Sequence, residues 1–213
     1  MKFRCLTREL AGFIAGASSV SIPQQALEIA LTGMMDTIGV MIAGRGEPGP
    51  VILSSSIEHG SPEAHIAFTT FKANAPQAAL ISATAAHVLD FDDVAIHGHP
   101  SAILTAALIA EGEAMQSSGR KLLEAYVVGY ETWAELVARE PDHIHGKGWH
   151  PTGLFGVIGA AAACAYLRGL DATQVSHALG LAASQSGGLI LNFGSMAKAL
   201  VAGNAAANGV MSA

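Results

Sequence analysis

Charge is scarce in this chain: only 13% of its 213 residues are Asp, Glu, Lys or Arg, and the net charge is −6. No basic run occurs and no aromatics are interleaved with basic residues, which argues against nucleic-acid binding. Cysteine is nearly missing. Cys5 and Cys164 cannot build a disulfide framework, and they point to a reducing compartment. Glu9 interrupts the apolar segment after Lys2 and Arg4, so no secretory signal is legible. The longest uncharged apolar run, residues 153–167, is short for a membrane span and carries three glycines. The expectation is a soluble cytoplasmic protein with no membrane or nucleic-acid partner.

Several chemical signatures are absent too. There is no H-E-x-x-H, no paired-cysteine motif, no G-x-S-x-G elbow, no P-loop, and no G-x-G-x-x-G after a strand. These gaps weigh against nucleophilic hydrolysis and nucleotide binding, and they leave any metal site without a specific motif. Aromatics make up only 6%, while Ala and Gly abound and hydrophobic residues reach 51%. With a mean hydropathy of +0.40, much of the chain must be buried, and small side chains suit closely packed helices. The surplus apolar surface predicts a subunit interface, hence a homodimer or larger assembly, or contact with residues outside this chain.

What is present is a helical period. Residues 1–20 read as a short helix with Leu6, Leu10, Phe13 and Ile14 on one face. Ser21 and Pro23 open a longer helix to about Ala43, the turn 44–50 ends it, and a weaker helix runs to about Glu58. Residues 65–71 read as a short strand or extended loop. Asn74 and Pro76 start a helix that reaches an Asp cluster, and 102–110 is apolar all round, as in a fully buried helix. Ser118-Gly119 breaks the chain before a helix carrying Leu122, Leu123, Tyr126, Val127, Tyr130 and Trp133. After a polar loop at 142–149, Pro151 opens an Ala-rich helix to Arg168-Gly169. Asp171 caps another, which ends at the turn Ser186-Gly187-Gly188. The last begins near Ser195 and still runs at Ala213. The reading is one all-α domain over 1–213, without internal repeats.

The little charge there is clusters. Residues 85–101 read A-A-H-V-L-D-F-D-D-V-A-I-H-G-H-P-S and hold His87, His97, His99, Asp90, Asp92 and Asp93. Such a cluster between apolar segments is what a reaction centre needs. His99-Pro100-Ser101 and His150-Pro151-Thr152 each read as a helix start, because proline suits a first turn and such ends attract anions. In Gly194-Ser195-Met196-Ala197-Lys198, Ser195 can cap a helix. Lys198 in its first turn opposes the helix dipole, so a partner or a function should hold it there. General acid/base work on an anion fits these residues best. His87 and Asp90 with His97 and His99 also admit a metal, though no known motif matches. Plainer readings stand beside these: His87 as a hydrogen-bonded helix histidine, Asp92 as a solvated loop residue, His143 and His145 as exposed loop residues, and Gly187-Gly188 as a turn.

At these residues the chain resembles the MmgE/PrpD family, which includes 2-methylcitrate dehydratase, cis-aconitate decarboxylase and iminodisuccinate epimerase. A-A-H-V-L-D-F-D-D, H-P-S, G-W-H-P-T-G and G-S-M-A-K match in order and at about the family's spacing, over nearly the whole chain. The resemblance implies an all-α main domain, of which 1–213 is the N-terminal portion, followed by a smaller α+β lid domain. It also implies a homodimer, catalysis without metal or organic cofactor, and active-site residues at Asp90, His99, His150 and Lys198. The implied function is a cofactor-independent lyase of the 2-methylcitrate dehydratase type, abstracting a proton α to a carboxylate of a small polycarboxylate and expelling water. The order of acid and base between the histidines stays open. Val94 stands where the family often has Thr, and the loop from Asp90 to His99 is about one residue shorter than in decarboxylase-like members. An epimerase of the iminodisuccinate type and a non-catalytic helical assembly protein are the alternatives. Without a lid, the 213-residue chain is expected to show at most trace turnover.

Overall fold

The computed structural model describes residues 5–17, 22–57 and 63–213. The outer ends of the helix expected at 1–20, together with Ser21 and Glu58, lie outside the described residues. Nine α-helices are described: α1 (Leu6–Gly16), α2 (Gln24–Gly44), α3 (Pro48–Ser56), α4 (Ala75–His87), α5 (Pro100–Ala114), α6 (Gly119–Ala138), α7 (Pro151–Arg168), α8 (Ala172–Gln185) and α9 (Met196–Ser212). The segment expected to be strand or loop becomes a two-residue antiparallel pair, β1 (Ala64–His65) with β2 (Lys72–Ala73), with a turn between. The fold is all-α.

Local chemistry explains the helix boundaries. Asn74 Oδ1 accepts the Gln77 amide at 2.9 Å and Pro76 sits in the first turn of α4. Ser118 caps α6, and Asp171 forms a full capping box with Gln174 on α8. Gly169, at φ 70°, ends α7 in the left-handed region where glycine carries no Cβ penalty. Two corrections belong here. Helix α3 starts at Pro48, inside the stretch expected to be turn. Ser195 occupies the N-cap of α9, but its hydroxyl donates back to the Asn192 carbonyl at 2.7 Å and caps nothing.

The core is built on small side chains. Helices α4, α5 and α7 are buried around nearly their whole circumference, the last with a run of alanines flanked by Gly156 and Gly159. Helix α4 lies closely along α9, which also packs on α7. The approach leaves no room for a methyl group: a Cβ on Gly203 would strike Thr84 Oγ1 and come within 2.5 Å of the Leu80 carbonyl. Trp133 fills the space between α5, α6 and α7 and is fully buried. Helix α2 packs against α4, α5 and α6. Among the described residues it is the one helix long and apolar enough to cross a membrane, with a third of that stretch buried in the fold.

This packing sets up a paired test. Gly203→Ala is expected to destabilise the protein by about 1–3 kcal/mol through overpacking against backbone. Gly180→Ala, on the exposed side of α8 with nothing within 4 Å, is expected to stabilise it by about 0.5–1 kcal/mol through helix propensity. Urea denaturation of the two variants measures both; a Gly203→Ala protein as stable as wild type would refute the close α4–α9 approach.

Candidate active site

Four helix ends meet at one place: the C-terminus of α4 and the N-termini of α5, α7 and α9. Helix α4 finishes with His87, and the Asp90 amide donates to the His87 carbonyl at 3.3 Å. Asp90 itself adopts a φ of 57°, a left-handed conformation that aspartate tolerates better than most residues. Its carboxylate meets α9, where Lys198 Nζ donates to Oδ1 at 2.5 Å. The partner expected for a cation in a helix's first turn is therefore Asp90.

His99, His150 and Ser195 are the N-cap residues of α5, α7 and α9, and none of these side chains caps its own helix; at α5 the Asp93 carboxylate does so instead, accepting the Ser101 amide, which leaves α7 and α9 uncapped. Helices α4, α6 and α8 are all capped. The uncapped starts direct backbone N–H groups and the positive dipole ends toward one locality. Two turns aim the histidines. Before His99, Ala95 and Gly98 exchange backbone hydrogen bonds of 3.0 and 2.9 Å around Ile96 and His97, whose φ values are 40° and 64°. That is a two-residue turn of the kind Asn-Gly usually makes, and a β-branched residue in it is strained. Beside His150, the Gly188 carbonyl accepts the His150 amide at 2.9 Å, and Gly188 takes a φ of 114°.

Asp92 and His87 form the centre, and both side chains are fully buried. Asp92 Oδ2 accepts from His87 Nδ1 at 2.8 Å and lies 3.2 Å from His99 Nδ1. The second contact falls short of hydrogen-bond alignment, so charge attraction carries it. His99 Nε2 is 3.8 Å from Asp90 Oδ1. The His87 ring meets His99 edge-on at 4.5 Å between centroids and stacks on His150 at 5.8 Å, while His150 meets Phe193 edge-on at 4.9 Å. All four sequence-predicted residues, Asp90, His99, His150 and Lys198, thus belong to one continuous cluster. A cavity of about 430 Å³ opens beside it, lined by His87, Asp90, Phe193, Gly194, Ser195 and Lys198 among others; His99 and His150 stand behind this lining, against Asp90 and Phe193 respectively. Cavities of about 390 and 530 Å³ elsewhere, one against α3 and one between α2 and α6, contain neither histidine nor lysine.

The electrostatics separate the two histidines. Burial lowers His150 most, and the like charges of His87, Lys198 and His99 add to it, bringing its pKa to about 3. Burial also works against the charged form of His99, but Asp92 and then Asp90 outweigh it and raise its pKa. Burial would raise Asp92, yet the hydrogen bond from His87 and the close His99 imidazole win and hold it well below the usual carboxylate range. The Lys198 hydrogen bond lowers Asp90. His150 is therefore a neutral imidazole at physiological pH, whereas the surroundings of His99 favour its charged form relative to a free imidazole.

His87, Asp90, Asp92 and His99 each bring one ligand atom to within 4.8 Å of the others, a spacing that a divalent cation could use. Lys198 already supplies a cation to Asp90, and one oxygen of Asp92 already faces two imidazoles, so the donors are engaged with each other. The arrangement reads as a charge and proton network.

The structure corrects the reading of Asp92 as a solvated residue: it is 4% exposed, whereas the Asp90 side chain is 59% exposed. The imidazoles on either side draw Asp92 inward. His87 is hydrogen-bonded within a helix, as one reading had it, but its partner makes it part of the cluster. A lone imidazole on an otherwise alanine-rich buried helix was the available signal. Nothing in the sequence marked Phe193. His143 and His145 are exposed, and Val94 is 78% exposed.

Comparison with known proteins agrees with this picture. Residues 8–213 match the family model described as the MmgE/PrpD N-terminal domain. The chain is 30% identical over 227 residues to cis-aconitate decarboxylase of Mus musculus, covering 99% of this chain and 45% of that protein. It is 29% identical over 230 residues to cis-aconitate decarboxylase of Homo sapiens, covering 100% and 46%. It is 28% identical over 221 residues to the cis-aconitate decarboxylase-like protein oryM of Aspergillus oryzae, covering 98% and 46%. The chain spans about half the length of these curated relatives.

The pKa of His150 predicts a pH dependence of stability. Its folded value, about 3, lies below the ordinary value of about 6.5. The stability it contributes is therefore present above about pH 6.5 and is lost as pH falls toward 3, with a slope approaching about 1.4 kcal/mol per unit. His99, shifted the other way, contributes fully below about pH 6.5 and loses its contribution only as pH rises through its folded value. It therefore adds no slope in the acid window. Urea unfolding between about pH 6.5 and 4.5 should show a steeper decline for wild type than for His150→Gln; parallel slopes would contradict the buried neutral imidazole.

Proposed function

The chain belongs to the MmgE/PrpD family, and on that footing we propose that it acts as a lyase on a small polycarboxylate. The observation that carries the reading is a pair of imidazoles whose surroundings bias them in opposite directions, His150 toward the neutral form and His99 toward the charged form, beside a lysine and the uncapped starts of α7 and α9. Two groups biased apart in this way suit the base and the acid of a β-elimination of water. In this reading His150 takes the proton α to a carboxylate, and His99 gives a proton to the departing hydroxyl. The proton and hydroxide leave together as water. Lys198 anchors a substrate carboxylate, and Asp90 orients both Lys198 and His99.

The protein is acidic overall, and the cluster alone is nearly balanced, with Lys198 and His99 facing Asp90 and Asp92. A polyanion therefore depends on the helix N-termini for further stabilisation. Decarboxylation is the second reading, because the relatives named above are cis-aconitate decarboxylases. That reaction needs an acid more than a base, which is why the His150–His99 pair favours dehydration.

Proton NMR in D2O with 2-methylcitrate, citrate and cis-aconitate separates these readings. A new alkene from a hydroxy acid indicates dehydration, loss of carbon dioxide from cis-aconitate indicates decarboxylation, and exchange with inversion alone indicates an epimerase. Lys198→Met is expected to lower kcat/KM by about 100-fold, the scale of one charge-assisted contact of about 3 kcal/mol. Activity should be unchanged by chelators. Because the 213-residue chain is expected to show at most trace turnover by itself, the assays use the chain together with the residues its full-length gene appends; no turnover of any polycarboxylate by that longer protein would leave the helical assembly role as the surviving alternative.

A homodimer is part of the same proposal. Helix α2 exposes Ile29, Leu31, Met35 and Ile42, and α3 adds Val51 and Ile52, an apolar face of the kind a subunit interface covers. Light scattering is expected to show twice the monomer mass at micromolar concentration; a stable, monodisperse monomer would count against it.

A further inference from the structure

Asp92 occupies the middle of the cluster with its side chain fully shielded from solvent, whereas the His99 side chain beside it keeps 14% exposure. One Asp92 oxygen faces the same ring atom of two histidines: His87 Nδ1 at 2.8 Å and His99 Nδ1 at 3.2 Å. An ionised carboxylate only accepts, so each contact is favourable only when that Nδ1 carries the hydrogen. Asp92 and His87 are fully shielded from water, and the second Asp92 oxygen has no hydrogen-bond partner among the described residues. The charge of the carboxylate is thereby committed to the two imidazoles. His87 Nε2 is likewise buried without a partner among the described residues, an unfavourable arrangement that a role for Nδ1 would explain.

We propose that Asp92, braced by His87, is a positioning residue that holds His99 in the Nδ1–H form and confines its proton exchange to Nε2. That nitrogen is the one 3.8 Å from Asp90 Oδ1, on the side where Lys198 binds. The other charged groups around His99 are Asp90 and Asp93 of its own loop, His87 from α4 and Lys198 from α9. His150 of α7 reaches it through the His87 ring. Asp93 is turned away, accepting the Ser101 amide at 3.2 Å and the Ser101 hydroxyl at 2.8 Å. Asp92 is thus the carboxylate set against Nδ1. The gain for catalysis is that proton delivery has one fixed origin, as when a buried carboxylate orients a catalytic imidazole in a triad.

The use of this arrangement rests on the lyase reading, but its test needs no turnover. Nitrogen-15 NMR of histidine-labelled protein reports which ring nitrogen carries hydrogen, with His99→Gln and His87→Asn supplying the assignments. In wild type, neutral His99 is expected in the Nδ1–H form; a His99 carrying hydrogen on Nε2 alone overturns the proposal without any variant. In Asp92→Asn, His99 is expected to titrate about one unit lower and to populate both tautomers. An unchanged His99 titration in that variant would equally overturn it. His87→Asn keeps an N–H donor near the place of Nδ1 and should preserve the His99 behaviour, whereas His87→Leu should weaken it. If the tautomer holds while the chain together with the residues its full-length gene appends consumes no polycarboxylate, the lyase reading fails and the role of Asp92 stands.

Discussion

The close approach of α4 to α9 is the constraint on which the rest of the molecule depends. Helix α4 ends in His87 and leads directly to Asp90, while α9 begins with Lys198 in its first turn. The ion pair between Asp90 and Lys198 can form only if the two helices lie nearly backbone to backbone, and Gly203 against Leu80 and Thr84 lets them do so. Gly209 does the same for α9 against Ala160 of α7. Small side chains therefore do two jobs. They give the core its density, and they bring the first and last parts of the site together across more than a hundred residues of chain.

Within that frame, burial and charge act against each other and the balance differs residue by residue. Desolvation disfavours the charged form of both His99 and His150, and only His99 has a carboxylate close enough to reverse it. Asp92 remains ionised because two imidazoles face one oxygen. A single buried carboxylate thus makes two chemically identical side chains different. The uncapped N-termini of α7 and α9 complete the field, because they add positive potential without adding side-chain charges that would pair with Asp90 or Asp92.

Strain is concentrated in the same region. Asp90, Ile96 and His97 all adopt positive φ within eight positions, and the turn at 95–98 is held by two backbone hydrogen bonds and by Gly98 packed on Trp133 and Thr152. The surrounding helices, buried on nearly every side, over-determine the loop and keep His99 facing Asp92.

The sequence by itself determined the helical class, most helix starts and the buried α5, and it marked Asp90, His99, His150 and Lys198 as candidates, which the fold brings into one cluster. Those features are local. Pro after His, Asn and Asp caps, and a 3.6-residue apolar period act within a few positions, so they are legible without a fold. It did not reveal that Asp92 is the buried aspartate and Asp90 the exposed one. D-F-D-D offers three carboxylates with no local difference among them, and the left-handed turn at Asp90 decides which faces in. Nor did it separate His99 from His150, since both precede proline at a helix start. Only the tertiary structure sets a carboxylate beside one and leaves the other against Phe193 and the stacked His87 ring. A pKa depends on neighbours brought by other elements, and those neighbours are fixed by packing.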